Sequence, residues 1–289
     1  MATETAEARS TGSAIRATRW RYLLPYLAAV VVAEVLIAVP GGSAVTERPL
    51  QPIGLGIHIL LVFSLLFLSV LLQSKDGRLA TLLVAASLAS LVRVFSLAVP
   101  RYNFVEVPET NPLNTIPWLA LVSIPLLVSV LAVAYVQRLR PRDLGLTFAR
   151  LQETPIQLAI AFTGLPLGFL EYVILKPDAW IPNLGIGAVL GGAVVIFFAT
   201  GLSEELIFRG ILLRRAVEGL GDRYGLLYVT AIFASLHIFF LSGVDLLFVA
   251  GVGLFYGFVV LKTKNLWGAI LSHSLGNVIL YLVAPNLFS

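Results

Sequence analysis

The chain contains no cysteine, which removes disulfides, thiolate zinc sites and cysteine nucleophiles together. Histidine is nearly as scarce, three in 289 residues, so any imidazole chemistry falls on His58, His237 or His273. Charge is thin as well. Charged residues make up 12 % of the chain and hydrophobic ones 58 %, whereas a soluble domain carries about a quarter charged and under half apolar. A water-soluble globule is excluded. The formal net charge of +4 and a pI near 9.5 raise nucleic acid as a partner class, and the placement of the basic residues has to decide.

What fills the chain is long apolar runs, at 21–40, 53–73, 79–99, 116–137, 154–175, 185–213, 224–241, 244–261 and 266–284. Each is long enough to cross about 30 Å of hydrocarbon as a helix. The sequence therefore predicts an all-α, polytopic membrane bundle of about nine transmembrane helices. The first run is too long for a signal-peptide core and reads as a retained anchor. Residues 1–20 read as a cytoplasmic, disordered tail, 21–138 as a four-span front region, 139–153 as a cytoplasmic connector, and 154–289 as a five-span core. No internal repeat is evident.

The basic residues orient the bundle. With the N-terminus inside, one set of segments holds Arg9, Arg16, Arg19, Arg21, Lys75, Arg78, Arg138, Arg140, Arg142, Arg150, Arg209, Arg214, Arg215, Arg223, Lys262 and Lys264, which is 16 of the 20 Lys and Arg residues. Arg48, Arg101 and Lys176 fall in the opposite loops, and Arg93 lies within a span. This asymmetry follows the positive-inside rule and gives an N-in, C-out topology. It also accounts for the high pI without nucleic acid. A multi-pass protein of a prokaryotic plasma membrane is the expected setting.

A charge at the bilayer centre costs roughly 2.5–3.5 kcal/mol on insertion scales, so each one needs an explanation. In the front region Glu34, His58 and Arg93 sit on three different spans, and either pair with one another or line a pathway. Glu171 lies near the outer end of its span, where it could snorkel or cap the helix end, and carries no assignment from the sequence. The back region concentrates the rest: Ser203-Glu204-Glu205-Leu206-Ile207-Phe208-Arg209-Gly210, then Phe233-Ala234-Ser235-Leu236-His237, then His273-Ser274-Leu275-Gly276-Asn277. Counted from the nearest basic residues at about 1.5 Å per residue, Glu204 lies about 15 Å deep, His237 about 21 Å, His273 about 14 Å and Asn277 about 20 Å. Three helices thus bring polar groups to one depth band, which argues for one site.

Spacing assigns faces. His273 and Asn277 are four apart and share one. Glu205 and Arg209 are four apart with acid before base, the favourable order for a pair. Glu204 is turned about 100° from Glu205, free to point toward the histidines. Phe233 lies one turn before His237 and packs against the site. Gly253 and Gly257 form a GxxxG pair suited to close helix approach.

A carboxylate and an imidazole beside one water make a general-base pair, and a second His with an Asn can donate to a developing oxyanion. That reads as peptide-bond hydrolysis without a covalent intermediate. Ser203, Ser235, Ser272 and Ser274 are nearby, but no pattern singles one out as a nucleophile. The rival is Zn2+ held by Glu204, His237 and His273 with a fourth position open to water; no metal or other cofactor is favoured. A different class of reading is a non-enzymatic membrane protein, either a proton-coupled transporter using the same polar cluster or a bacteriocin-immunity scaffold.

These motifs resemble those of the CPBP family of intramembrane proteases, which includes the CAAX prenyl endopeptidases of the Ras-converting type and bacterial abortive-infection proteins. Glu204, Glu205 and Arg209 match Glu-Glu-x-x-x-Arg, Phe233 and His237 match Phe-x-x-x-His, and His273 and Asn277 match His-x-x-x-Asn, in the family's order. The resemblance implies that Glu204 and His237 activate the hydrolytic water, that His273 and Asn277 hold the oxyanion, and that Glu205 and Arg209 support them. It implies a membrane-embedded or lipidated protein or peptide as substrate, within the lipid bilayer. It covers about 154–284 and says nothing of Glu34, His58 or Arg93.

Overall fold

The computed structural model describes residues 2–41, 48–101, 111–147 and 153–288, with side chains described from Ala17 onward. Among the described residues nine helices are long and apolar enough to cross a membrane: α1 Ala17–Ala38, α2 Gln51–Leu72, α3 Gly77–Ala98, α4 Pro112–Val136, α5 Thr154–Leu175, α6 Ile186–Leu220, α7 Asp222–Phe240, α8 Gly243–Thr263 and α9 Trp267–Phe288. No strand occurs among those residues. The protein is an all-helical integral membrane protein. Of the connector at 139–153, residues 148–152, with Arg150, lie outside the described residues.

The N-terminal segment differs from the expected disordered tail. Helix extends back to Ala2, so that α1 is the end of one element running Ala2–Ala38. Its Ala, Glu and Arg content explains the extension, since these residues carry high helix propensity.

The loops expected on one side of the membrane do gather at one end of the bundle. There Arg19 on α1 pairs with Asp76 (Nε to Oδ2, 2.7 Å) and donates to the Gly219 carbonyl at 2.5 Å. Arg215 donates to Gln137 Oε1 at 2.6 Å, and Arg214 to the Asp143 carbonyl at 3.0 Å. Asp76 also accepts from the Leu79 amide at 3.0 Å, capping α3. At the far end the Trp180 amide donates to the Tyr281 carbonyl at 3.0 Å, and Trp118 Nε1 donates to Val99 O at 2.9 Å.

Helices α3 and α6 run through the middle. Leu79, Leu82, Leu83 and Leu88 of α3 and Ile207, Phe208, Ile211 and Leu212 of α6 are buried in one core that joins the front and back regions. Apolar side chains such as Phe63, Val70 and Leu247 remain exposed on the outer faces, where lipid tails replace water as the solvent and no penalty attaches. On α5 the backbone of Gly164 and Gly168 presses against the α9 backbone so closely that an added Cβ would strike the Ser272 and Gly276 carbonyls. This second GxxxG pair fixes α5 to the helix that bears His273.

Candidate active site

Helix α6 carries the two adjacent carboxylates, and its winding is irregular around them. Wide π-helical turns at Phe197–Leu202 and Leu206–Leu212 flank Ser203–Glu205. Such turns inside α-helices are frequent at functional sites. They rotate fewer degrees per residue than α-helix, so the faces of residues before and after Ser203–Glu205 shift relative to a uniform 100° step.

Glu205 is fully buried. Its Oε1 accepts from Arg209 Nη1 at 2.8 Å and lies 2.8 Å from His273 Nδ1. Arg209 continues inward: it lies 4.3 Å over the Phe233 ring, and its Nη2 donates to the Gly253 carbonyl at 3.4 Å. Gly253 allows this approach, since a Cβ there would meet Phe233 and Thr230 at 3.3 and 3.2 Å. Phe233 in turn stands 5.0 Å from the His237 ring, centroid to centroid. The contact of His273 with Glu205 is one that the helical-face argument did not anticipate.

Glu204 is placed differently. Among the described residues its carboxylate accepts no hydrogen bond, and it faces a cavity of about 400 Å³, within the range typical of ligand sites. His237, His273 and Asn277 line the same cavity. His237 Nδ1 lies 3.1 Å from the Phe233 carbonyl. A carbonyl only accepts, so Nδ1 carries the proton and Nε2 keeps its lone pair. Asn277 Nδ2 donates to Thr200 Oγ1 at 3.0 Å, and Thr200 donates to Ile196 O at 2.8 Å. One Asn277 N–H is thereby oriented and the other left over.

The chemistry of His273 follows from Glu205. Glu205 Oε1 already accepts from Arg209, and in this contact His273 Nδ1 is the donor. For Nε2 to donate as well, the ring must be an imidazolium. Behind it, Ser272 Oγ bonds to Tyr256 OH at 2.8 Å and Thr163 Oγ1 at 2.9 Å. Among the described residues no group of three or more His, Asp or Glu side chains is placed to hold a metal ion.

Three lining residues were not assigned to the site by the sequence. Glu171 of α5 faces this cavity rather than snorkelling or capping. Thr200 lies one turn before Glu204, a spacing that signals a shared face only once the cavity is known. Arg93 of the front region, left by the sequence either to pair or to line a pathway, lines the cavity and pairs with Glu34, which in turn contacts His58. The cavity runs on to Arg101, Trp118 and Trp180, at the end of the bundle away from the Arg19 and Arg214 contacts.

A family model described as Type II CAAX prenyl endopeptidase Rce1-like matches residues 186–279. That segment is similar to the Rce1-like family. It starts at α6 and ends just beyond Asn277, so Glu204, Glu205, Arg209, Phe233, His237, His273 and Asn277 all fall inside it. No curated protein and no solved structure matches the chain. The matched family is described as an endopeptidase family, in keeping with the resemblance carried by the three motifs, while α1 to α5 lie outside the match. Walls of the cavity come from both parts: Arg93 from α3, Trp118 from α4 and Glu171 from α5 face the matched segment's own residues.

Proposed function

We propose that the protein is an intramembrane endopeptidase that hydrolyses a peptide bond of a membrane-associated protein or peptide, lipidated substrates included, in a prokaryotic plasma membrane. The observation that carries this is the split between the two carboxylates. Glu205 has partners on Oε1, whereas Glu204 opens unbonded on a cavity shared with two histidines and an asparagine.

In the proposed reaction Glu204 takes a proton from water while His237 Nε2 accepts the water's other hydrogen and aligns it. The hydroxide forms a bond to the scissile carbonyl carbon. Negative charge moves to the carbonyl oxygen, where His273 Nε2–H and the spare Asn277 N–H receive it. Collapse breaks the C–N bond, and Glu204 returns its proton to the leaving amine. Glu205 and Arg209 fix the His273 ring, and Thr200 fixes Asn277. Catalysis in this reading needs no metal.

The test compares wild type with Glu204→Ala, each in lipid, on prenylated and unprenylated peptides and a membrane-peptide extract, with mass-spectrometric readout and with or without a chelator. The expected result is cleavage by wild type, unaffected by chelator and absent in Glu204→Ala. Chelator-sensitive cleavage would return Zn2+ to the site, and cleavage by Glu204→Ala would overturn the assignment.

A further inference from the structure

Glu34 and His58 are both completely buried, on α1 and α2. Glu34 Oε1 accepts from Arg93 Nε at 2.7 Å and lies 3.1 Å from His58 Nε2, while Oε2 accepts from Arg93 Nη2 at 2.7 Å. The guanidinium is thus gripped as a fork, the geometry that fixes direction as well as charge. A purely structural pair would end there. Arg93 Nη2 instead goes on to donate to the Leu236 carbonyl at 2.6 Å.

That carbonyl occupies a special place. The α-helical part of α7 stops at Ser235, so the carbonyls of its last turn lack the next helical amides. A cation set against a helix C-terminus answers both the missing donors and the negative end of the helix dipole. Leu236 immediately precedes His237, whose ring hangs from the Phe233 carbonyl of the same turn. The segment just after it is held from the same side, with the Phe239 ring 4.0 Å from the Arg48 guanidinium and 5.6 Å from that of Arg93. Two front-region arginines therefore bracket the turn that presents the histidine.

We infer that Arg93, oriented by Glu34 and His58, is a positioning residue for His237: the front region sets the place of that imidazole through the Leu236 carbonyl. The inference rests on the hydrolytic reading above for its consequence in catalysis. It gives the front region, which lies outside residues 186–279, a defined part in the reaction. Its action is indirect, since Arg93 holds the backbone that carries His237 and transfers no proton itself.

The experiment uses the full chain in lipid and three variants: Arg93→Met, the double variant Glu34→Gln/Arg93→Met, and Arg19→Met. The double variant removes both buried charges, so that no lone carboxylate is left to unfold the bundle. Arg19→Met breaks a tie between front and back at the opposite end and controls for general loosening. A misplacement of about 1 Å costs about 100-fold, so kcat should fall by about that factor in both Arg93 variants with KM within about threefold, and Arg19→Met should stay within about twofold. Imidazole nitrogen NMR, with His237 assigned by substitution, should show its ring signals shifted or broadened in the Arg93 variants and those of His273 unchanged. Wild-type kcat in a folded Arg93 variant, or unaltered His237 signals, would overturn the inference. Failure of the hydrolytic reading would show separately, as wild-type cleavage that survives Glu204→Ala, because neither arm of that comparison touches Arg93.

Discussion

Two clusters in this membrane protein draw on the same costly residue types. In the front one Glu34 is met on both oxygens, by the Arg93 fork and by His58. In the back one Glu205 is similarly engaged on one oxygen, yet Glu204, one residue away, has no hydrogen-bonded partner among the described residues and looks into a cavity with His237 and Asn277. Charge inside a bilayer marks function only as a default, and the comparison shows what refines it. The informative group is the polar side chain whose bonding capacity remains unspent where a substrate can reach it.

Breaking the buried ion pairs should have the largest effect on stability. Removing one partner of a buried ion pair leaves an uncompensated charge and costs about 3–5 kcal/mol. Glu34→Ala, which strands Arg93, is expected to lower stability by that amount in denaturant unfolding of the lipid-embedded protein, and Glu205→Ala, which strands Arg209, likewise. Loss from the unsaturated cluster should appear in rate instead. Asn277→Ala removes an oxyanion donor and is expected to lower kcat by about 100-fold or more, with the unfolding midpoint within error of wild type.

Thr200→Val sharpens the same contrast. It leaves Asn277 in place and deletes its orienting acceptor, so a smaller fall of about tenfold in kcat with KM unchanged is expected from steady-state kinetics. The smallest effect belongs to the loop-side pair of Arg19 and Asp76. Burial pushes the Asp76 carboxyl up, but its hydrogen bond and ion pair with Arg19 and the capping amide of Leu79 win, and hold it below its ordinary value of 3.8. A depressed carboxylate contributes stability that is fully present above its unfolded value and lost as pH falls through the folded one. A modest acid-side loss of stability beginning near pH 4 is therefore expected, absent in Asp76→Asn.

The sequence made the nine spans legible because apolar length is a strong signal, and the bias of basic residues toward alternate loops arranged them, although Arg209, counted with those loops, lies buried inside α6. The depth estimate from helical rise was enough to bring Glu204, His237, His273 and Asn277 together. What it missed depended on angle and on distant partners. The assumption of uniform α-helix hid the contact between Glu205 and His273, because π-helical turns on either side of Ser203–Glu205 change the rotation between residues. Arg93 could be seen as a buried charge, but nothing in its own neighbourhood reports that Leu236, 143 residues later, supplies the carbonyl it binds. Glu171 reads as a span-end carboxylate until α5 is packed against α9 through Gly164 and Gly168.

The most direct test of the account measures kcat and the unfolding midpoint together for Glu204→Gln. A carboxylate without hydrogen bonds in a low-dielectric site is a burden on the fold that only function explains. The account predicts cleavage reduced by about a thousandfold or more, as for loss of a general base, together with a midpoint equal to or above that of wild type. Cleavage retained in Glu204→Gln, or a midpoint that falls as it should for Glu34→Ala, would contradict it.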